Sequence, residues 1–106
     1  MYYTYIVRCE DDSLYTGITT DVKSRFEEHL AQNEKSAKYT RTHKAVKLEA
    51  VWQSKDRVSA SRLEYQIKRL NKTQKERLIE SNDFTVFKDK IKSDVYKLQL
   101  NKCLIH

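Results

Sequence analysis

A chain of 106 residues, 39% apolar and 34% charged, has room for one hydrophobic core beneath a heavily charged surface, which points to a single folded domain and away from disorder. Lys and Arg number 21 against 15 Asp and Glu, a formal charge of +6, so polyanions are natural partners, although the same charge would also keep a small protein soluble. No window approaches the roughly 18 apolar residues of a membrane span, and Cys9 and Cys103 stand far apart without metal-ligand spacing, so a structural zinc site is not expected. The reading is of a soluble, cytoplasmic protein without a membrane partner, with Cys9 a buried thiol.

Residues 2–8 (YYTYIVR) and 14–19 (LYTGIT) are rich in aromatic and β-branched side chains and flank Glu10-Asp11-Asp12, the pattern of a β-hairpin. A three-residue turn at 10–12 would face Tyr15 to Val7, diagonal to Tyr5, whereas a two-residue turn would put the two tyrosines on opposite faces. Gly17, the chain's single glycine, falls inside a strand pattern, where it marks a bulge or a close backbone approach. From Thr20 the period changes: Val22, Phe26 and Leu30 form a helical stripe over about 21–32, with Thr20 or Asp21 as N-cap. Residues 33–47 carry Lys35, Lys38, Arg41, Lys44 and Lys47 with no acid after Glu34, and read as an exposed basic loop.

Leu48, Ala50 and Trp52 alternate with their neighbours as a third strand would. Asp56 can cap a helix whose apolar positions are Ala60, Leu63, Ile67 and Leu70. Thr73 and Glu76 have capping-box spacing for a short helix through about Glu80. Phe84, Phe87, Ile91, Val95 and Leu98 make a last stripe, which predicts a C-terminal helix packed on the same domain. The order ββαβααα specifies an α+β fold, a small antiparallel sheet with helices against it.

Arg25 and His29, at i and i+4, share one flank of the first helix beside the apolar stripe. A guanidinium can hold a phosphate oxygen with two hydrogen bonds, and a neutral imidazole can accept a proton near pH 7. Glu64, on the next long helix, could anchor Mg²⁺, which takes its remaining oxygens from water and a phosphate. Each residue also has an ordinary explanation: tyrosines are good strand formers, an arginine is usually solvated, and Glu64 can pair with Lys68 on an exposed helix face.

Tyr3-Thr4-Tyr5 and Tyr15-Thr16-Gly17 stand where a GIY and a YIG element would, and the run SLYTGITTDVKSRFEEH puts Arg25 ten residues after Tyr15 and His29 four later. Ala37-Lys38-Tyr39-Thr40 and the run from Arg62 to Lys68 follow in the same order. In residue type, order and spacing, residues 2–80 resemble the GIY-YIG nuclease family, and more closely its small stand-alone bacterial branch. Tyr3 and Thr4 replace Gly and Ile, and Thr16 replaces Ile, while Tyr5, Tyr15 and Gly17 are kept.

The resemblance implies a three-stranded antiparallel sheet flanked by helices, with a nuclease domain at 1–82 and residues 83–106 as a C-terminal helical extension. It also implies metal-dependent endonucleolytic hydrolysis of DNA phosphodiester bonds. Tyr15 or Tyr5 would activate water, His29 would receive the proton or hold the phenol, Arg25 would brace the phosphate, and Mg²⁺ or Mn²⁺ on Glu64 would stabilise the leaving 3′ oxygen. Gly17, Lys35, Lys38, Tyr39, Arg41 and Lys44 are the expected substrate-binding residues, and single-stranded or junction DNA the expected partner, bound with little sequence specificity. A non-catalytic nucleic-acid-binding module of the same fold is the alternative function, with an interaction protein using the C-terminal stripe behind it. The chain is a monomer or a homodimer.

Overall fold

The computed structural model describes residues 1–32 and 37–100. Strands β1 (Tyr2–Cys9) and β2 (Leu14–Thr19) pair antiparallel, with Val7 opposite Tyr15 and Tyr5 opposite Gly17. Their turn has three residues. The Cys9 N–H donates to the Ser13 carbonyl at 2.9 Å and the Asp12 N–H to the Cys9 carbonyl at 2.9 Å, with Asp12 in the left-handed region at φ 70°. That odd-length loop puts both tyrosines on one face of the sheet.

On the other side of β1 lies β3 (Ala45–Ser54), and beyond it β4 (Lys97–Leu100), giving the antiparallel order β2-β1-β3-β4. Ile6 pairs with Ala50 but Val7 with Leu48, so Glu49 is an extra, bulged residue. The bulge switches which face the flanking side chains take. Ala50 and Trp52 join the core on one face, while Leu48 packs on the other.

The first face carries α3 (Arg57–Lys68) and α4 (Lys72–Ser81), whose Leu63, Ile67, Leu78 and Ile79 close over Ile6, Ala50 and Trp52. Asp56 caps α3 by accepting from the Ser59 N–H at 2.8 Å. The opposite face carries α1 (Val22–Ala31), where Val22 and Phe26 pack against Tyr5, Val7 and Val51. Asp21 is the cap of α1, accepting from the Ser24 N–H. The stripe fails at its last member: Leu30 is 43% exposed, and the fully buried side chain of the helix is His29. A polar ring takes the inward position because polar partners meet it there, as described below.

Four expectations are corrected. The segment read as a basic loop contains a short helix, α2 (Lys38–Thr42), and the start of β3 at Ala45. A five-residue helix is too short to show a period, and its buried Thr40 gave no apolar signal. Helix α4 is opened by Asn71, not by a Thr73–Glu76 box. The Asn71 side chain accepts from the Gln74 N–H at 2.8 Å, and the Gln74 side chain accepts from the Asn71 N–H at 3.0 Å.

Among the described residues the C-terminal helix does not form, and the sheet has four strands where three were expected. Phe84 and Phe87 lie on one 3₁₀ turn, after which Lys88 and Asp89 adopt left-handed backbone at φ 50° and 66° and break the helical path. Val95 is exposed, and Tyr96 turns inward to donate its hydroxyl to the Ser59 carbonyl at 2.6 Å. The three-and-four spacing of the apolar residues was coincidental, and the alternation in Lys97-Leu98-Gln99-Leu100 was the signal that the backbone follows.

The hairpin tip is clasped to the rest by Arg8. Its guanidinium bonds Glu49 at 2.7 Å, Asp12 at 2.6 Å and both carboxylate oxygens of Glu76 at 2.5 and 2.8 Å. One cation thus joins β1, the turn, β3 and α4, and fixes the strand that carries Tyr5.

Candidate active site

Tyr5 sits in the middle of β1, and its 2% exposure places the phenol at the floor of the site. Its ring lies over Gly17 across the strand pair. A Cβ on Gly17 would lie 2.7 Å from Tyr5 Cζ, with the hydroxyl oxygen nearer still. Gly17 was expected to touch substrate, but it is buried under this ring. Its contribution is room for the phenol.

The Tyr5 hydroxyl lies 2.7 Å from His29 Nε2, and His29 Nδ1 lies 2.7 Å from Thr40 Oγ1. These contacts run from the sheet through α1 to α2 and are buried throughout. Burial, with the charge of Arg25 second, pushes the His29 imidazole down to about 4, so the ring is neutral at pH 7. Burial also pushes the Tyr5 phenol above its ordinary range, reinforced by neighbouring Tyr15 and opposed by the guanidinium of Arg25, which hydrogen-bonds it. Arg25 is partly exposed and also binds Glu28 at 2.9 Å.

Tyr15 is half-buried on the same face, its ring centroid 5.4 Å from that of His29 and 6.5 Å from that of Tyr5. Its hydroxyl has no hydrogen bond among the described residues. From the other layer α3 reaches the same place: the Lys68 ammonium lies 5.7 Å from the centre of the Tyr15 ring and 3.5 Å from Glu64. Glu64 is 24% exposed and close enough to Tyr5 for its charge to act on the phenol. The helix pair Glu64–Lys68 therefore exists, and it stands at the site.

Of the expected substrate contacts, Tyr39 stacks with Tyr15 at 5.7 Å and 20°. Lys38, Arg41 and Lys44 are exposed on and just beyond α2, and Lys35 lies outside the described residues. Sequence reasoning missed three participants. Thr40 supports His29, His43 stacks on Tyr39 at 4.1 Å while its Nδ1 meets Asp11 at 2.8 Å, and Lys68 covers Tyr15. Lys68 could have been found from its place one turn after Glu64; Thr40 and His43 carried no periodic signal.

Among the described residues, no group of three or more His, Cys, Asp or Glu could hold a metal ion. The carboxylate expected to act as donor is that of Glu64, beside Lys68. A lone hard oxygen ligand fits Mg²⁺, which retains waters and draws further oxygens from a substrate phosphate. Among the described residues, no helix is long and apolar enough to cross a membrane.

Residues 1–77 match the GIY-YIG catalytic domain, a nuclease fold. A UPF0213 protein of Fusobacterium nucleatum is 48% identical over 82 residues, covering 77% of this chain and 80% of the relative. Another, from Cupriavidus necator, is 46% identical over 74 residues, covering 70% and 78%. The solution NMR structure of a UPF0213 protein from Bacillus halodurans is 38% identical, covers 85% of this chain and 96% of its own, and superposes with a TM-score of 0.49. With the domain match spanning the hairpin, α1, α2, β3, α3 and the first half of α4, the chain belongs to the GIY-YIG family, beside the small stand-alone bacterial UPF0213 proteins.

Proposed function

We propose that this protein is a cytoplasmic, metal-dependent endonuclease that hydrolyses DNA phosphodiester bonds, acting on single-stranded or branched DNA with low sequence specificity in repair, recombination or uptake. The observation that carries the reading is the convergence of Tyr5, Tyr15, Arg25 and His29 with Glu64 at one place, from β1, β2, α1 and α3.

Hydrolysis needs a proton acceptor for the attacking water and positive charge for the pentacoordinate phosphorane. Tyr15, half-buried with its hydroxyl uncommitted among the described residues, orients the water. Tyr5 takes the water's proton as its own proton passes to His29 Nε2, a transfer for which the 2.7 Å contact is already in place. Arg25, beside the Tyr5 hydroxyl, stabilises the phenolate character that develops and braces a phosphate oxygen. Glu64 would hold Mg²⁺ or Mn²⁺, which when bound supplies Lewis acidity at the leaving 3′ oxygen. Lys38, Arg41 and Lys44 form a cationic margin for the backbone of the strand, with Tyr39 beside them as a substrate contact.

The test is incubation of the purified chain with labelled single-stranded, duplex and branched DNA in Mg²⁺ or Mn²⁺, beside Glu64→Ala and Arg25→Ala. Cleavage lost in both variants is the expected result. Cleavage surviving in both would assign it to a contaminant, and salt-dependent binding with no cleavage in any metal would make the chain a binding module.

A further inference from the structure

We infer that Thr40 is a positioning residue that fixes His29 as its Nδ1–H tautomer and so leaves Nε2 as the acceptor for Tyr5. A hydroxyl has one hydrogen to donate. That of Thr40 goes to the Ala37 carbonyl at 3.1 Å, which can only accept. With its hydrogen on Ala37, Thr40 accepts at His29 Nδ1, 2.7 Å away, and Nδ1 carries the proton. In the neutral ring Nε2 is then a bare lone pair, and the bond at 2.7 Å is Tyr5 O–H donating to Nε2.

The hydrogen bonds thus run in one direction, from Tyr5 to His29 to Thr40 to the backbone of Ala37. The opposite tautomer would set Nδ1 as acceptor against a hydroxyl whose hydrogen is already used, and would turn the Nε2 hydrogen toward the phenol. Both His29 and Thr40 are 0% exposed, so water cannot substitute for a missing partner. A short helix with no residue of its own among the expected proton-transfer groups thereby decides which ring nitrogen can receive a proton.

The consequence for rate rests on the nuclease reading, whereas the tautomer does not. The test is the side-chain ¹⁵N spectrum of His29 in the full chain, with Thr40→Val and Thr40→Ser, and Thr40→Ala should the valine prevent folding. Wild type and T40S should show a protonated Nδ1 and an unprotonated Nε2; T40V or T40A should populate the Nε2–H form. DNA cleavage should fall about 10–100-fold in T40V, the range known for the outer hydrogen-bond partners of metal-bound histidines, with T40S near wild type. An Nε2–H ring in wild type, or an undiminished Nδ1–H ring in T40V and T40A, overturns the inference. A wild type that shows the stated tautomer but cuts no DNA refutes the nuclease reading and leaves the assignment of Thr40 standing.

Discussion

Tyr5 and His29 are 24 residues apart in the chain and 2.7 Å apart across the site, the phenol on a central strand and the imidazole on the helix that covers it. This bond makes the hydroxyls of Tyr5 and Tyr15 unequal. Tyr5→Phe removes the partner of a fully buried ring nitrogen and should cost about 1–3 kcal/mol of stability as well as activity. Tyr15→Phe removes a hydroxyl with no hydrogen bond among the described residues. It should leave stability within about 0.5 kcal/mol and lower only the rate. Urea unfolding beside single-turnover cleavage measures both, and equal destabilisation of the two variants would contradict the assignment.

A neutral, buried His29 also sets a pH dependence. Its native value, pushed down to about 4, lies below the 6.5 of the free side chain. As pH falls through about 6.5 the unfolded chain binds a proton that the native state refuses, so stability declines until the native ring titrates near 4. Carboxylates titrate in the same window, so His29→Gln serves as the reference. The stability advantage of wild type over H29Q should shrink by on the order of 2–3 kcal/mol between pH 7 and 4.5. A gap that does not change with pH would show that His29 is not held neutral.

Gly17→Ala tests the packing of the floor. The added methyl would lie 2.7 Å from Tyr5 Cζ, and the ring cannot withdraw without breaking its bond to His29. The expected cost is about 1–3 kcal/mol, typical of overpacking, accompanied by loss of cleavage, read by thermal unfolding and the DNA assay. A stable, active variant would mean that Tyr5 moves freely.

The exposed cations of α2 and the turn after it give a prediction for binding. Replacing Lys38, Arg41 and Lys44 together should flatten the dependence of log K on log salt by about 2 for single-stranded DNA, at about 0.7 for each phosphate that is no longer neutralised. Fluorescence anisotropy across a salt series measures it. An unchanged slope would direct the nucleic acid to another face.

The hairpin, α1 and α3 were legible because each has a clean period or a matching cap: Asp21 and Asp56 cap as expected, and Ala60, Leu63 and Ile67 are fully buried. Parity placed Tyr5 and Tyr15 on one face once the structure fixed the turn at three residues, a length the sequence had left open. What the sequence did not disclose are contacts without a period. Thr40 meets His29 across 11 residues and His43 meets Asp11 across 32, and neither pair repeats at helix or strand spacing. At Leu30 and His29 the amphipathic rule failed for a physical reason, since polar partners on two other elements made the histidine the better residue to bury. Beyond Asn82 an irregular path, with two left-handed residues in succession, imitated a helical stripe in the spacing of its aromatic and aliphatic residues.

Strand β4 pairs with β3 along Val51, Trp52 and Gln53, outside the matched residues 1–77. A chain cut after Tyr96 would keep the buried core and every side chain proposed for chemistry, yet it would bare the backbone edge of a long strand rich in valine, alanine and tryptophan. Such an edge is a template for strand addition between molecules. β4 is a poor template itself, being four residues long with Lys97 and Gln99 exposed. The last strand thus acts as a guard against self-association: shortened forms of this protein should fail by precipitation before they fail by losing their chemistry.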